Sequence, residues 1–359
     1  MKVLHISAGN LFGGIETVLV AMARERRQCP ELKPHFSVCF EDRFSRELRA
    51  TGAPVDYLGS VRVRNPLTIL RARAALDRLL SQESIDVAIC HSPWAHNVFG
   101  PVVKSYNIPL VFWSHGFVTG RHWLEVWARR TRPVLVICNS RATEASVKAL
   151  FPDVPSQVIY APVSNSSHVR LRGPEAKPVV VIQVSRMEKW KGHTLLLKAL
   201  AEMKDLPDWV CWFVGGAQTG QEKPYEDGLH HLAEELGMGD RVAFLGARDD
   251  VPDLMAQADI FCQPNLSPEP FGIVFIEALQ SGIPVVSSRL GGASEIVDET
   301  CGILVPAGEV GPLAISLRTL IEDPRKRLGL GEAGPARAQV LCEPARQLGK
   351  LREVLQSLF

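Results

Sequence analysis

Apolar runs of four to six residues alternate with amphipathic stretches of helical length along almost the whole chain. In the first half the strand-sized runs are Val3–Ser7, His35–Phe40, Ala53–Tyr57, Asp86–Cys90, Leu110–Ser114, Val134–Cys138 and Gln157–Tyr160. Helices are predicted between them, among others at Gly14–Glu25, Pro66–Ser81 and Ser140–Ala149. This alternation is the pattern of a parallel sheet covered by helices. Pro162 through Pro178 is a polar, serine- and proline-bearing break. A second alternation follows, with strands at Val179–Val184, Trp209–Val214, Val242–Leu245, Ile260–Gln263, Pro284–Ser287 and Gly302–Val305. Helices are predicted there at Gly192–Met203, Tyr225–Leu236, Val251–Ala256, Ile273–Gln280 and Gly311–Ile321, and a last one at Glu343–Leu358. The pattern predicts an α/β protein of two Rossmann-like parallel-sheet domains, residues 1–165 and 178–342, facing across a cleft. Open parallel sheets bind ligands at the carboxyl ends of their strands, and two such domains can bring two substrates together for group transfer.

The 359 residues suffice for two ordinary domains, and 46% hydrophobic with 22% charged residues describes globular material. No signal-peptide pattern opens the chain and no apolar run reaches transmembrane length, so the cytoplasm is the expected location. The eight cysteines are scattered, several of them in apolar strand-like runs, which reads as buried thiols rather than disulfides or metal ligands. The net charge of +1 conceals an asymmetry: residues 1–165 hold 20 Lys/Arg against 13 Asp/Glu, and the remainder 20 against 26. A basic first domain suits a phosphorylated acceptor or the inner face of an anionic cell membrane. Nucleic acid is disfavoured, since the basic runs are short and no aromatic platform accompanies them. Neither HExxH nor a clustered Cys/His set recommends a metal, so none is expected.

The richest chemistry lies in EPFGIVFIEALQSGIPVVSSRLGGASE, residues 269–295. A short helix starting at Gly272 or Ile273 offers backbone N–H groups without intrahelical partners, an end suited to phosphate. Glu277 lies within that apolar helix, where a carboxylate needs donors that a ribose diol can supply. Arg186 and Lys191 fall on the loop after Val179–Val184 and can hold a diphosphate from two sides, with Gly192 letting the next helix start close by. Gly13 and Gly14 precede a helix and permit close backbone approach to a ligand. Their spacing to Gly9 is not GxGxxG, so a nicotinamide oxidoreductase is disfavoured. His115 follows Leu110–Ser114, where an imidazole can meet a substrate hydroxyl, and His91 and His96 follow another strand as candidate acceptor contacts.

With these residues assembled, the sequence resembles the large family-4 group of retaining, nucleotide-sugar-dependent glycosyltransferases with the GT-B fold. The likeness covers nearly the whole chain and is strongest from Val184 to Pro306. It implies a nucleoside-diphosphate sugar as donor and, as acceptor, a saccharide or lipid-linked saccharide in polysaccharide or glycolipid assembly. It implies that Glu269 lies near the donor sugar, Glu277 binds ribose, and Arg186 and Lys191 hold the diphosphate with backbone help from Phe271, Gly272, Ile273 and Val274. Gly13 and Gly14 match the first-domain glycine loop, and His115 the histidine near the anomeric carbon. Gly215 and Leu245 match segments beside the nucleotide, and the last helix, 343–359, is expected to cross back to the first domain. A GT-B epimerase or hydrolase would need an acid/base set for elimination and readdition, which the sequence does not show. The other alternative is a nucleotide-sugar-binding protein without catalysis.

Overall fold

Burial on both faces explains why the strands are continuous apolar runs: β4 (Val87–Cys90), β5 (Leu110–Ser114) and β6 (Leu135–Cys138) are buried at every position. These belong to a computed structural model that describes residues 1–10, 12–62, 64–164, 170–173 and 175–359. The chain divides into two units, Met1–Ser164 with Cys342–Phe359, and Asn165–Leu341.

The first unit runs β1 (Lys2–Ser7), α1 (Gly14–Arg24), β2 (Lys33–Val38), α2 (Arg43–Ala50), β3 (Val55–Tyr57), α3 (Pro66–Gln82), β4, α4 (Pro93–Ser105), β5, α5 (Trp123–Ala128), β6, α6 (Arg141–Val147) and β7 (Ser156–Val158). The sheet order is β3-β2-β1-β4-β5-β6-β7, with all pairs parallel. Serine two residues past the strand ends starts the next helices: Ser92 Oγ accepts the Ala95 N–H at 3.1 Å and Ser140 Oγ the Thr143 N–H at 3.0 Å. β2 sits two residues earlier than the apolar run suggests, because its register follows β1 from Lys2↔Lys33 to Ser7↔Val38. All eight cysteines are buried and unbridged.

The second unit runs β8 (Val179–Val184), α7 (His193–Ala201), β9 (Trp209–Val214), α8 (Lys223–Glu235), β10 (Val242–Gly246), α9 (Val251–Ala256), β11 (Ile260–Gln263), α10 (Ile273–Gln280), β12 (Val285–Ser288), α11 (Ala293–Ile296), β13 (Gly302–Val305), α12 (Val310–Glu322) and α13 (Pro324–Cys342). Its parallel sheet is ordered β10-β9-β8-β11-β12-β13. Sequence periodicity does not reveal α13, which contains Gly329, Gly331, Gly334 and Pro335. Packing explains two of them: a Cβ on Gly331 would stand 2.3 Å from the Gly282 carbonyl and one on Gly334 2.6 Å from that of Leu279. The last helix, α14 (Pro344–Gln356), packs within the first unit, where Gln347 Oε1 accepts the Tyr160 N–H at 3.1 Å and Arg352 pairs with Glu31 at 3.2 Å.

Each sheet reverses its strand order beside its own first strand, between β1 and β4 and between β8 and β11. Loops leaving the carboxyl ends on either side of such a reversal splay apart and leave a crevice for ligand.

Asp259, at the start of β11 and fully buried, fixes the entry to the second unit. Its carboxylate accepts from Arg170 at 2.7 Å, Arg172 at 3.0 Å and the Val180 N–H at 2.9 Å. Removing one partner of such a buried cluster leaves uncompensated charge. Asp259→Ala should therefore lose about 3–5 kcal/mol in urea unfolding, and a loss within about 0.5 kcal/mol, as at ordinary surface positions, would show the cluster to be dispensable.

Candidate active site

The two loops flanking the β8/β11 reversal are tied by an ion pair and by the Leu266 N–H, which donates to the Trp190 carbonyl at 2.7 Å. Lys191 closes the loop after β8, and its Nζ lies 2.6 Å from Glu269 Oε2, on the loop after β11. The same oxygen accepts from the side-chain amides of Gln263 and Asn265, each at 3.3 Å. Lys191 also sits 3.9 Å over the Trp190 ring. Three donors converge on Oε2, while Oε1 has no partner among the described residues. Arg186 is 46% exposed, bonded to Glu188 at 2.8 Å and 4.0 Å from Glu222, so it is held lightly.

Glycine makes the close approaches possible. A Cβ on Gly192 would lie 1.9 Å from the Pro264 carbonyl, and one on Gly292 2.2 Å from that of Phe271. Gly292 donates its N–H to the Glu269 carbonyl at 2.7 Å, which clamps the Glu269 loop from behind. Gly272 then opens α10 in the left-handed region, with Ile273 and Val274 in the first turn, where N–H groups lack intrahelical acceptors. Phe271 is buried beneath them. Gly215 follows β9 and donates to the Gly246 carbonyl at 2.8 Å, beside partly exposed Leu245.

Glu277 behaves differently from Glu269. It is half-buried on α10 and no donor meets its carboxylate among the described residues. Desolvation raises its pKa to about 7. A carboxylate left without protein donors is costly to keep ionised in such surroundings.

In the first unit, Gly13 and Gly14 stand at the start of α1, and Glu16 Oε2 accepts the Gly13 N–H at 3.0 Å, closing the turn. A Cβ on Gly14 would meet nothing within 4 Å. The protein's own packing does not require glycine there, which leaves the backbone open to close approach. His115 follows β5, and its carbonyl accepts from Asn139 Nδ2 at 3.1 Å.

The histidines expected to contact the acceptor are placed elsewhere. His91 is buried, and both ring nitrogens are taken, Nε2 by His5 Nδ1 and Nδ1 by His115 Nε2, each at 2.9 Å. His96 lies in the core against Phe112 and Phe151, bonded to the Thr131 carbonyl at 2.6 Å. Neither ring faces solvent, so the contact assigned to them is corrected to interior packing. His5 is absent from the sequence reading, although a histidine inside the apolar run of β1 is itself a signal: such a ring requires a buried partner.

The glycosyl transferases group 1 family matches residues 169–337 and glycosyltransferase family 4 matches residues 12–166. The structure is similar to that of Anabaena HepE, solved with UDP, at TM-score 0.86 and 27% identity, covering 99% of this chain and 100% of that one. HepE has also been solved with UDP-glucose.

The chain belongs to the GT-B glycosyltransferases.

Among curated relatives, this glycosyltransferase is 28% identical over 303 residues to the GDP-mannose-dependent alpha-(1-6)-phosphatidylinositol monomannoside mannosyltransferase of Mycolicibacterium smegmatis, 76% of this chain and 78% of that protein. It is 35% identical over 183 residues to the D-inositol 3-phosphate glycosyltransferase of Corynebacterium kroppenstedtii, a match spanning 48% of this chain and 40% of that relative. Among the described residues of the glycosyltransferase, no group of three or more His, Cys, Asp or Glu is arranged to hold a metal ion. No helix among them is long and apolar enough to cross a membrane.

Glu277 gives the glycosyltransferase a defined pH signature. Its folded pKa of about 7 lies above the model 4.5, so between those values the folded state holds the extra proton, and stability falls as pH rises through the window. Glu277→Gln removes that term. Thermal unfolding should show the variant gaining on wild type at pH 7.5 relative to pH 5; a difference independent of pH would refute the raised pKa.

Proposed function

We propose that this glycosyltransferase takes a uridine-diphosphate sugar and passes the sugar, with retention at the anomeric carbon, to an acceptor hydroxyl in polysaccharide or glycolipid assembly. The observation that carries the reading is the edge of the second sheet, where lightly held Arg186, the Lys191–Glu269 pair, the open first turn of α10 and unpaired Glu277 flank one strand-order reversal. Those groups suit, in turn, a diphosphate, a sugar hydroxyl at Glu269 Oε1 and a ribose diol. Likeness to HepE, solved with UDP, supports the uracil base.

In the transfer, the bond from the anomeric carbon to the β-phosphate oxygen breaks while the acceptor oxygen bonds on the same face. The acceptor proton passes to the departing phosphate oxygen. Arg186 and Lys191 stabilise charge as it develops on that oxygen. Double displacement would require a free carboxylate nucleophile on the opposite face. Glu269 is poorly suited, since an ammonium and two amides already draw on its charge. Gly13, Gly14 and His115 serve the sugar and acceptor at the carboxyl edge of the first sheet.

Arg186→Ala should keep the wild-type unfolding curve and lower kcat by about 10²–10³ with UDP-glucose and a lipid-linked saccharide, the loss typical of a removed charge-stabilising donor. NMR of the product should show the donor's anomeric configuration. An inverted product, or conversion of the donor to an epimer without acceptor, would overturn the reading.

For the acceptor, the first unit exposes Phe117, Trp123 and Val126 among Arg121, Arg129 and Arg130. Apolar side chains ringed by arginine suit an anionic lipid surface. The whole protein should sediment with vesicles containing anionic lipid at low salt and be released at about 0.5 M salt, where charges are screened beyond a few ångströms. Absence of binding at low salt would rule this surface out.

A further inference from the structure

Three imidazoles form a continuous hydrogen-bonded chain through the first unit. His5 Nδ1 meets His91 Nε2, and His91 Nδ1 meets His115 Nε2, both at 2.9 Å. The rings come from β1 and from the residues immediately after β4 and β5, three adjacent strands. Aromatic contacts hold them in place: His5 stacks on Phe36 at 5.2 Å, and Trp113 stacks on His115 at 5.5 Å with an interplanar angle of 11°. With rings and backbones held, the freedom that remains is where the protons sit.

Burial keeps all three rings neutral. It lowers His5 and His115 to about 3 and His91 well below its usual value, with neighbouring imidazoles adding to the shift at His91 and His115. A neutral imidazole carries one N–H, so one nitrogen donates and the other accepts. His91 uses both nitrogens inside the chain, which makes the chain directional. Either every ring is protonated at Nδ1, and His115 offers Nδ1–H at its free end, or every ring is protonated at Nε2, and His115 offers a bare Nδ1.

The far end selects between them. His5 lines a cavity of about 10 Å³ whose walls are largely apolar, among them Val3, Met22, Leu32 and Leu348, and its Nε2 has no hydrogen-bond partner among the described residues. A buried N–H without an acceptor is a rarer and costlier defect than a bare lone pair, which favours the lone pair on His5 Nε2. The proton of His5 then lies on Nδ1, and the polarity is carried through His91 to His115.

We propose that His5 and His91 are positioning residues that lock His115 as its Nδ1–H tautomer, so that it presents a hydrogen-bond donor to a substrate oxygen. The consequence for transfer rests on the functional reading above; the tautomer itself does not. The substrate atom is an acceptor of hydrogen bonds, a sugar hydroxyl oxygen or a phosphoryl oxygen, and never a group that can only donate.

Nitrogen-15 NMR of the whole protein with labelled histidine, at neutral pH, reads the tautomers directly. Nδ1–H is expected for His5, His91 and His115, and Nε2–H at His115 in wild type overturns the proposal without any variant being made. His5→Leu removes the terminal donor, and His115 should then shift toward Nε2–H while kcat falls about tenfold, the scale of one hydrogen bond, with UDP affinity unchanged. His5→Asn places an amide N–H where Nδ1–H stood and should restore both tautomer and kcat. Unchanged tautomer in His5→Leu, or a shifted tautomer with unchanged kcat, also overturns the proposal. Wild-type protein that transfers no sugar from any donor while showing the Nδ1–H chain would instead count against the functional reading alone.

Discussion

Glu269 is 9% exposed and sits on the loop after β11, facing the loop after β8, to which its own loop is also joined by the Leu266 N–H on the Trp190 carbonyl at 2.7 Å. A carboxylate withdrawn that far from water must collect donors, and those it collects are distributed: Lys191 from the loop after β8, Gln263 from the end of β11, and Asn265 just beyond it. Desolvation of one charge thereby helps to fix the separation of the two loops, together with the Leu266–Trp190 backbone bond. The glycines follow from the same demand. Once Glu269 is drawn in, its loop passes so close to Gly291 and Gly292 that a Cβ on either would fall within 2.3 Å of the Glu269 or Phe271 carbonyl. Residue size at 291–292 is thus a consequence of charge placement at 269.

The first unit meets a related problem with neutral groups. An apolar strand carrying His5 has to satisfy a ring deep in the sheet, and it does so with two further rings rather than a counter-ion. An ion pair confers position and a field. A chain of neutral imidazoles confers position and direction, since each ring must donate on one side and accept on the other. The two edges therefore differ in kind, one bearing net charges and the other a chain of oriented neutral rings.

Much of this was legible in the sequence because strand-to-helix alternation writes the fold openly, and β8, β9, α9, β11, α10 and β13 fall at the expected residues. The stretch from Glu269 to Glu295 could be read as a ligand site because an acidic residue in an apolar helix and a glycine pair after an apolar strand are each unusual for a core. Two things were hidden. α13 is written in glycine and proline, the residues that ordinarily end helices, and the close passages of Gly331 over Gly282 and of Gly334 over Leu279 account for two of them. The histidine chain joins positions 5, 91 and 115, far apart in sequence and brought together by parallel pairing of β1 with β4 and β4 with β5. For the same reason His91 and His96 looked available from their place after a strand, whereas what surrounds a ring is set by three-dimensional packing.

The contrast between Glu269 and Glu277 shows how one helical unit separates two carboxylates of the same type. Both are shielded from solvent, yet Glu269 is met by an ammonium and two amides, while Glu277 has no such neighbour and its pKa rises to about 7. A raised pKa invites a reading as general acid or base. Geometry favours another. Glu277 is carried on α10 itself, one turn behind its start, so under the proposed function a ligand with phosphate on that first turn would bring its adjoining diol to the carboxylate. Two hydroxyl donors would stabilise the ionised form and pull the pKa back down, so the energy stored in leaving Glu277 unpaired returns as binding energy when the ligand arrives. In the proposed reading the unpaired carboxylate is then an element of recognition, and proton transfer is left to the oxygen that departs with the nucleotide.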